Sequence, residues 1–154
     1  MKKLNLILSS LIVFSLFIFS SAHCSEKNVA IGKASIIDGD TIIIKGEKIR
    51  FAGIDTPERN RIGHEFSKKK LKQKIGNHIV VCIREPNLDP WGRTVAECFI
   101  GYDSISSYMV KNGYACDYVK YSRKKYAKEQ LHAKSKNLGI WKMNFDPAWE
   151  KKCG

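Results

Sequence analysis

Three apolar runs rich in β-branched residues follow one another in the first third of the chain, and they constrain the fold more than any other feature. They span residues 29–37, 41–45 and 48–54. The turn Asp38-Gly39-Asp40 separates the first two runs, and Gly46-Glu47 separates the last two. Runs of this kind, bounded by glycine and aspartate, are typical of strands joined by tight turns. The sequence therefore predicts a three-stranded meander.

The rest of the chain predicts two more strands and three helices. Residues 79–83 and 93–100 form strand-like runs on either side of a long turn. Residues 64–75 carry apolar side chains among lysines at helical spacing, and Gly76-Asn77 would end that helix. Two further helices are predicted over residues 104–112 and 122–136. This order of elements predicts an α+β protein with a mainly β core, a five-stranded OB-fold barrel with three helices.

The first 22 residues are predicted to be a signal peptide. Lys2 and Lys3 precede a mostly apolar run over residues 4–19, and Ser20-Ser21-Ala22 offers small residues for cleavage after Ala22. The run is shorter than the ~20 residues of a spanning helix. An uncleaved anchor and a lipoprotein cut before Cys24 are the weaker alternatives. We therefore expect an exported monomer, periplasmic or secreted, with one domain over residues 23–154, no membrane-embedded part after cleavage and no stable protein partner.

The five cysteines agree with export. Cys24, Cys82, Cys98, Cys116 and Cys153 show neither C-x-x-C spacing nor paired histidines, so disulfides are the default in an oxidising compartment. Cys24 lies beside the predicted cut, which leaves four cysteines and three possible pairings. We favour Cys82 with Cys98, because they fall in neighbouring strand-like runs. Cys116 with Cys153 would then tie down the C-terminal tail.

The charge of the chain predicts an anionic partner. Its 27 lysines and arginines outnumber its 15 acids, which gives a formal net charge of +12. A charge of that size favours binding to a polyanion, most economically nucleic acid, with anionic membrane or cell-wall polymer as competitors. Charge alone says nothing about catalysis.

Four acids and one arginine nevertheless lie close together between residues 38 and 58 of this basic chain. They are Asp38, Asp40, Arg50, Asp55 and Glu58. An isolated Asp-Gly-Asp is most often an ordinary turn, but convergent carboxylates repel one another and need a counter-cation. Carboxylate oxygens suit a calcium-like ion, whereas no cysteine or histidine is spaced for zinc. The cluster therefore predicts a metal-assisted phosphodiesterase site in which Asp40 and Asp55 are ligands.

Six short motifs carry a family resemblance that covers the chain from about residue 30 to residue 141. In this order and at close to the expected spacing, they resemble the thermonuclease or staphylococcal-nuclease family. The motifs are Ile37-Asp38-Gly39-Asp40-Thr41, Arg50 followed by Ile54-Asp55-Thr56-Pro57-Glu58, Gly63-x-Glu65, Asp89-x-x-Gly92-Arg93, Asn112-Gly113 and Leu138-x-Ile140-Trp141.

The resemblance implies a calcium-dependent endonuclease of low sequence specificity that hydrolyses DNA and also RNA and leaves 3′-phosphate ends. It implies that Asp40, Asp55 and the carbonyl of Thr56 hold Ca²⁺, with Asp38 beside these ligands. Glu58 would act on the attacking water, either as general base or by orienting it.

Arg50 and Arg93 would clamp the phosphate through forked hydrogen bonds and stabilise the charge of the transition state. Trp91, Tyr118 and Tyr121 lie near basic residues, and we predict that they contact substrate by stacking on bases or bonding phosphate. A purely structural role for these three aromatics is the alternative.

Two other functions compete with the nuclease. One is a catalytically inactive OB-fold module that binds single-stranded nucleic acid through the same basic groove. Such a module would be expected to have lost Glu58 or an arginine of the site, and this chain retains them. The other, weaker alternative is an envelope-associated basic protein that acts through charge alone.

Overall fold

The structure is a computed structural model, which describes residues 28–153. Over this range the chain is a mixed α+β protein with a mainly β core. The predicted signal peptide, residues 1–22, and Cys24 lie outside the described residues. No helix among residues 28–153 is long and apolar enough to cross a membrane.

Short strands dominate the first two thirds of the described chain, and short helices dominate the last third. In order, the elements are β1 (Val29–Gly32), β2 (Ala34–Asp38), β3 (Thr41–Ile44), β4 (Glu47–Phe51), β5 (Ile54–Asp55), α1 (His64–Ile75), β6 (Val80–Arg84), β7 (Thr94–Ile100), β8 (Asp103–Ser104), α2 (Ile105–Lys111), β9 (Cys116–Asp117), α3 (Val119–Ser122), α4 (Ala127–Ser135), a 3₁₀ turn (Gly139–Lys142) and α5 (Pro147–Lys152).

The main sheet has seven strands in the order β1-β6-β7-β4-β3-β2, with β8 added beside β7. The pairing of β4 with β7 is parallel, and the other pairs are antiparallel. The expected meander is present as β2, β3 and β4. The sheet is not closed, so the prediction of a five-stranded barrel is wrong in strand number and in closure.

The difference arises at Lys33, which divides the first predicted strand into β1 and β2. These two strands pair with different partners, β6 and β3, and lie at opposite ends of the sheet order. Gly32 approaches β3 closely, since a Cβ at this position would lie 3.0 Å from Ile44 Cγ2. A small separate sheet pairs β5 with β9, two strands of two residues each.

The first predicted helix has the bounds of α1, and the second is α2 with Ser104 as its N-cap. The third predicted helix, over residues 122–136, is wrong in its first part. Arg123 and Lys124 have φ angles of 55° and 67°, which lie in the left-handed region that an α-helix cannot include. The predicted segment is therefore helical only over α4, and its first residue, Ser122, is the last residue of α3. Helix α5 is an addition that begins at the capping residue Asp146.

Two apolar clusters form the core. The larger lies between the main sheet, α1 and α2, and includes Ile42, Phe51, Leu71, Val80 and Met109. The smaller contains Cys116, Ile140, Trp149 and Cys153, with Phe66, Trp141 and Phe145 packed against it. The smaller cluster holds the C-terminal segment against β9.

Both favoured disulfides are present. Cys82 and Cys98 are bonded and occupy facing register positions in β6 and β7. Cys116 in β9 is bonded to Cys153, which directly follows α5. The second disulfide thus attaches the end of the described chain to the small sheet.

The motifs at Asn112-Gly113 and Leu138-x-Ile140 meet at a tight backbone crossing. Gly113 has a φ of 69°, and a Cβ on it would lie 2.2 Å from the carbonyl oxygen of Leu138. A Cβ on Gly139 would meet the Gly113 carbonyl oxygen at 2.2 Å. The Ile140 amide donates to that same oxygen at 2.7 Å. Only glycine fits at both positions, and the crossing sets the start of the C-terminal segment.

We expect Gly113→Ala to lower the free energy of unfolding by about 3 kcal/mol or more, because the added methyl overlaps backbone that cannot move aside. Gly101→Ala is the matched control: Gly101 has a φ of 59° but nothing within 4 Å of an added Cβ. Gly101→Ala should lower the free energy of unfolding by only about 1–2 kcal/mol, the cost of placing alanine in a left-handed conformation. Urea unfolding of both variants measures the difference, and equal losses would contradict the close crossing.

Candidate active site

All ten predicted site residues line one cavity of about 770 Å³. The cavity lies where the turn between β2 and β3, the strands β4 and β5, the loop after β5, the turn before β7 and the start of α3 meet. The residues are Asp38, Asp40, Arg50, Asp55, Thr56, Glu58, Trp91, Arg93, Tyr118 and Tyr121. The fold thus brings together positions that lie up to 83 residues apart, from Asp38 to Tyr121 (121 − 38).

Arg50 connects the two acids that the sequence predicts as metal ligands. Its Nη1 lies 2.7 Å from Asp40 Oδ2, and its Nη2 donates to Asp55 Oδ1 at 2.7 Å. The strand register explains this, because Arg50 in β4 faces Thr41 in β3, the neighbour of Asp40. The planar fork of a guanidinium suits two carboxylates in a way that lysine cannot copy.

Asp40 is held by more than Arg50. Its Oδ1 accepts a hydrogen bond from Thr41 Oγ1 at 2.9 Å. Its Oδ2 accepts from Thr56 Oγ1 at 3.1 Å and from the Thr56 amide at 3.3 Å. Asp40 therefore fixes Thr56 and the start of the loop that leads to Glu58.

The two acids carry more negative charge than Arg50 neutralises. Asp40 and Asp55 are only 4% and 3% exposed. Burial, followed by the negative charge of Asp40, raises the pKa of Asp55 above its ordinary value, although Arg50 and Lys152 act in the opposite direction. Asp55 Oδ2 is buried and has no hydrogen-bond partner among residues 28–153. The charged contact that the structure gives this oxygen is the Lys152 ammonium, whose Nζ lies 3.5 Å away.

The oxygen donors of the site fit a hard divalent cation. Two carboxylates with the oxygens of Thr56 match the ligand preference of Ca²⁺, which completes its shell with backbone carbonyls and water. Over the described range, no cluster of three or more His, Cys, Asp and Glu side chains could form a metal site from side chains alone. A cation here would therefore depend on backbone oxygens and water as well as on Asp40 and Asp55.

Glu58 and Asp38 lie beside these residues at the cavity wall. The Glu58 side chain is 72% exposed and sits on the loop after β5, where its Oε1 lies 3.5 Å from Lys152 Nζ. Asp38 Oδ1 lies 3.7 Å from His64 Nε2 and 3.8 Å from Arg59 Nη2. Among residues 28–153, the acids that form ion pairs with Arg50 are Asp40 and Asp55. Glu58 and Asp38 therefore lie next to this buried pair of acids and are not bridged by Arg50.

Arg93 is positioned by Asp89 in the turn before β7. Asp89 Oδ2 accepts from Arg93 Nε at 2.6 Å, and Asp89 Oδ1 accepts from the amides of Trp91 and Arg93 at 3.0 and 2.9 Å. Burial favours the neutral acid, but these hydrogen bonds outweigh it and lower the pKa of Asp89. Gly92, with a φ of 74°, allows the turn. The guanidinium lies 5.1 Å from the centre of the Trp91 ring, which is widely exposed.

The predicted tyrosines form another wall of the cavity. The Tyr118 amide donates to the carbonyl of Gly53 at 2.9 Å, which ties the start of α3 to the turn before β5. The rings of Tyr118 and Tyr121 meet edge to face with centroids 4.8 Å apart. Tyr121 is exposed, and Lys120 Nζ lies 5.4 Å from its ring centre. Exposed aromatics next to cations are the kind of surface on which bases stack.

The family model described as "Staphylococcal nuclease homologue" matches residues 48–143 of the chain. The chain belongs to the staphylococcal nuclease family. Three similar proteins add to this match. An "Uncharacterized endonuclease" of Haemophilus influenzae is 34% identical over 146 residues, which covers 91% of this chain and 80% of that protein.

A "Thermonuclease" of Staphylococcus intermedius is 32% identical over 125 residues, or 69% of this chain and 72% of that protein. A protein named "Succinoglycan biosynthesis protein ExoI" of Rhizobium meliloti is 30% identical over 136 residues, or 80% of this chain and 71% of that protein. Two of these three relatives are thus named as nucleases, and the third is named for the biosynthesis of succinoglycan. The resemblance seen in the sequence motifs is confirmed.

In this member of the family, Lys152 and His64 are among the further cavity-lining residues that the motifs do not indicate. Lys152 Nζ lies 3.5 Å from both Asp55 Oδ2 and Glu58 Oε1. His64 is buried, with its Nδ1 3.2 Å from the carbonyl oxygen of Pro57. The favoured pairing of Cys116 with Cys153 is the sequence signal for Lys152, because Lys152 precedes Cys153. It points to the site only when one also knows that Cys116 lies opposite Asp55 in the small sheet.

We expect Arg50→Met to lower the free energy of unfolding by about 3–5 kcal/mol at neutral pH, because it leaves two buried acids without their shared cation. Arg50 lowers the pKa of Asp55, so without Arg50 this pKa rises further in the folded state. The loss is therefore largest above that raised pKa, and it shrinks as the pH falls through it, because the buried acid then takes up a proton and no longer needs a cation. Urea unfolding in the presence of a chelator, repeated across pH, measures this.

The matched control for this measurement is Arg59→Met. Arg59 is an exposed arginine whose Nη2 lies 3.8 Å from Asp38 Oδ1. Exposed pairs contribute about 0–1 kcal/mol, so this variant should unfold almost like the wild type. A loss for Arg50→Met no larger than the loss for Arg59→Met would mean that Arg50 does not neutralise the buried pair.

Proposed function

We propose that the chain is an exported, calcium-dependent endonuclease that hydrolyses DNA, and RNA as well, with little sequence specificity, and that it leaves 3′-phosphate ends. Family membership and relatives named endonuclease and thermonuclease support nuclease activity. The observation that carries the proposal is the buried pair Asp40 and Asp55, bridged by Arg50, in one cavity with Glu58 and Arg93. The two disulfides and the predicted signal peptide support export.

Asp40, Asp55 and the Thr56 carbonyl would hold Ca²⁺ in this proposal. The excess negative charge of the buried acids and the buried Asp55 oxygen without a hydrogen bond support this assignment. The chemistry that the ion supplies when bound is positive charge next to the phosphate, which reduces the repulsion of an incoming hydroxide.

The two arginines of the cavity would bind the phosphate and stabilise the charge that grows on its oxygens. Both are fixed before substrate arrives, Arg50 by two carboxylates and Arg93 by Asp89. Donors that are already in place do not have to reorganise during the reaction, and such preorganisation is a large contributor to catalysis.

Glu58 would act on the attacking water. In the hydrolysis, the water oxygen forms a bond to phosphorus while the bond from phosphorus to the 5′-oxygen breaks, and the departing oxygen takes up a proton. Glu58 either accepts the proton from the water or orients the water for in-line attack. Its exposed position on the cavity rim gives it access to solvent water.

We expect single-stranded DNA to be degraded by the protein with Ca²⁺ and to remain intact with chelator. Glu58→Gln and Arg93→Ala should each lower the rate on the order of 10²-fold or more, because each removes a group that acts in the transition state. Gel analysis of a labelled strand measures the rate, and mass spectrometry of the products should show 3′-phosphate ends.

Glu85→Gln is the matched control, because Glu85 is an exposed glutamate that does not line the cavity. It should cleave at the wild-type rate. Tight binding of DNA without cleavage in Ca²⁺ would favour the inactive single-strand binding module instead. Full activity of both site variants would leave cleavage intact but contradict the roles given to Glu58 and Arg93.

We further expect Asp89→Ala to lower the rate about tenfold or more, because Arg93 loses the carboxylate that orients its guanidinium. The double variant Asp89→Ala/Arg93→Ala should be little worse than Arg93→Ala alone, since Asp89 acts through Arg93. Asp103→Ala, which removes an exposed partner of Lys74, is the control. Additive effects in the double variant would show that Asp89 has a role of its own.

A further inference from the structure

The end of the described chain is fixed against the candidate active site by three kinds of contact. Cys153 is bonded to Cys116, the residue that pairs with Asp55 across the small sheet. Gln130 bridges the same two segments, because its Nε2 donates to the Cys153 carbonyl at 2.6 Å and its Oε1 accepts from the Asp117 amide at 2.8 Å. Trp149 of α5 is buried against the rings of Trp141 and Phe145. The segment therefore has a defined place beside β5.

This attachment places one side chain of α5, Lys152, between two acids of the site. Its Nζ lies 3.5 Å from Asp55 Oδ2 and 3.5 Å from Glu58 Oε1. Asp55 Oδ2 is the buried oxygen that lacks a hydrogen bond. Glu58 has no other charged partner within 4.0 Å among the residues that the structure describes. The Lys152 ammonium is thus the contact that links the exposed glutamate to the buried acid.

An exposed ion pair on its own contributes little, but this one differs in two ways. The lysine side chain is only 38% exposed, and a disulfide at the next residue holds the backbone that carries it, so this backbone is already in place when the pair forms. It also contacts a buried carboxylate, where the attraction between charges is less screened than at the surface. Both conditions favour a pair that is formed for most of the time.

We propose that Lys152 is a positioning residue of the nuclease site: held in place by the Cys116–Cys153 disulfide, it fixes Glu58 next to Asp55. This inference rests on the proposed function, because the position of Glu58 matters only if Glu58 acts on water there. It adds a residue from the C-terminal segment to a site otherwise built from the strands and their turns.

The position of Lys152 has two consequences of opposite sign. Removing the ammonium frees Glu58 to move on its exposed loop, which lowers kcat. The same change removes a positive charge from Asp55, a proposed ligand of Ca²⁺, so the affinity for the ion rises. General damage to the site would lower both quantities, and the opposition therefore separates positioning from a merely structural role.

The test compares Lys152→Met, Lys152→Arg and the matched control Lys151→Met, whose residue is the exposed neighbour on α5. Lys152→Met should lower kcat about tenfold on single-stranded DNA and leave KM within about twofold. Calorimetric titration with Ca²⁺ in the absence of DNA should show about fivefold tighter binding. Lys152→Arg should recover most of kcat, and Lys151→Met should match the wild type in both measurements.

The outcomes separate this inference from the proposed function. A wild-type protein that does not cleave DNA overturns the proposed function and the role of Lys152 with it. A wild-type protein that cleaves, with Lys152→Met equal to it in kcat and in Ca²⁺ affinity, overturns the role of Lys152 alone. If Lys152→Arg loses as much kcat as Lys152→Met, the positioning role of Lys152 is also overturned.

The disulfide is tested with Cys116→Ala/Cys153→Ala, assayed below its melting temperature. Its kcat should fall as in Lys152→Met, and adding Lys152→Met to it should have little further effect, because both changes act through the same ammonium. Cys82→Ala/Cys98→Ala lacks the other disulfide, which lies in the main sheet, and should keep the wild-type kcat at a temperature where it is folded. If the effects of the Cys116, Cys153 and Lys152 changes on kcat were additive, the disulfide would not act by holding Lys152 in place.

Discussion

The geometry of the cavity depends on the double contact of Arg50 with Asp40 and Asp55. Two carboxylates buried this close to one another repel, and a low-dielectric site makes the repulsion stronger. Arg50 lies between them with one nitrogen on each acid. Asp40 in turn holds Thr56 through its hydroxyl and amide, so the loop to Glu58 begins from a fixed point. One guanidinium thus joins a turn, two strands and a loop into a single site that still carries excess negative charge.

Much of the fold follows from local sequence pattern, and the failures have physical causes. Helix α1 keeps its predicted bounds because Gly76 ends it and its buried residues, His64, Ser67, Leu71 and Ile75, lie three or four positions apart on one face. The predicted helix over residues 122–136 fails in its first part because Arg123 and Lys124 adopt left-handed backbone, which their residue types do not indicate. Lys33 divides the first predicted strand into β1 and β2, because these two strands pair with different partners, β6 and β3. Two-residue strands such as β5 are likewise defined by long-range partners, so no local pattern reveals them.

For the site, the family motifs were a better guide than local pattern. The motifs name seven of the ten predicted site residues, and nearness to basic residues added Trp91, Tyr118 and Tyr121. The fold brings all ten to one cavity. Motifs of this kind identify the side chains of the site, but they do not identify the residues that hold each side chain in place. The role of Asp89 becomes visible only when its two oxygens are seen to bind Arg93 and the turn around it. Lys152 was missed because its place depends on a disulfide and on the register of a two-residue strand pair.

The two disulfides differ in what they add to the structure. Cys82 and Cys98 join strands that a ladder of backbone hydrogen bonds already holds together, so that bond reinforces an existing pairing. Cys116 and Cys153 join a strand of two residues to a helix of six, elements too short to be stable alone. The glycine crossing at Gly113 fixes where this C-terminal segment starts, and the disulfide fixes where it ends. A segment held at both ends can carry a charge to a defined point, and the point it reaches lies between Asp55 and Glu58.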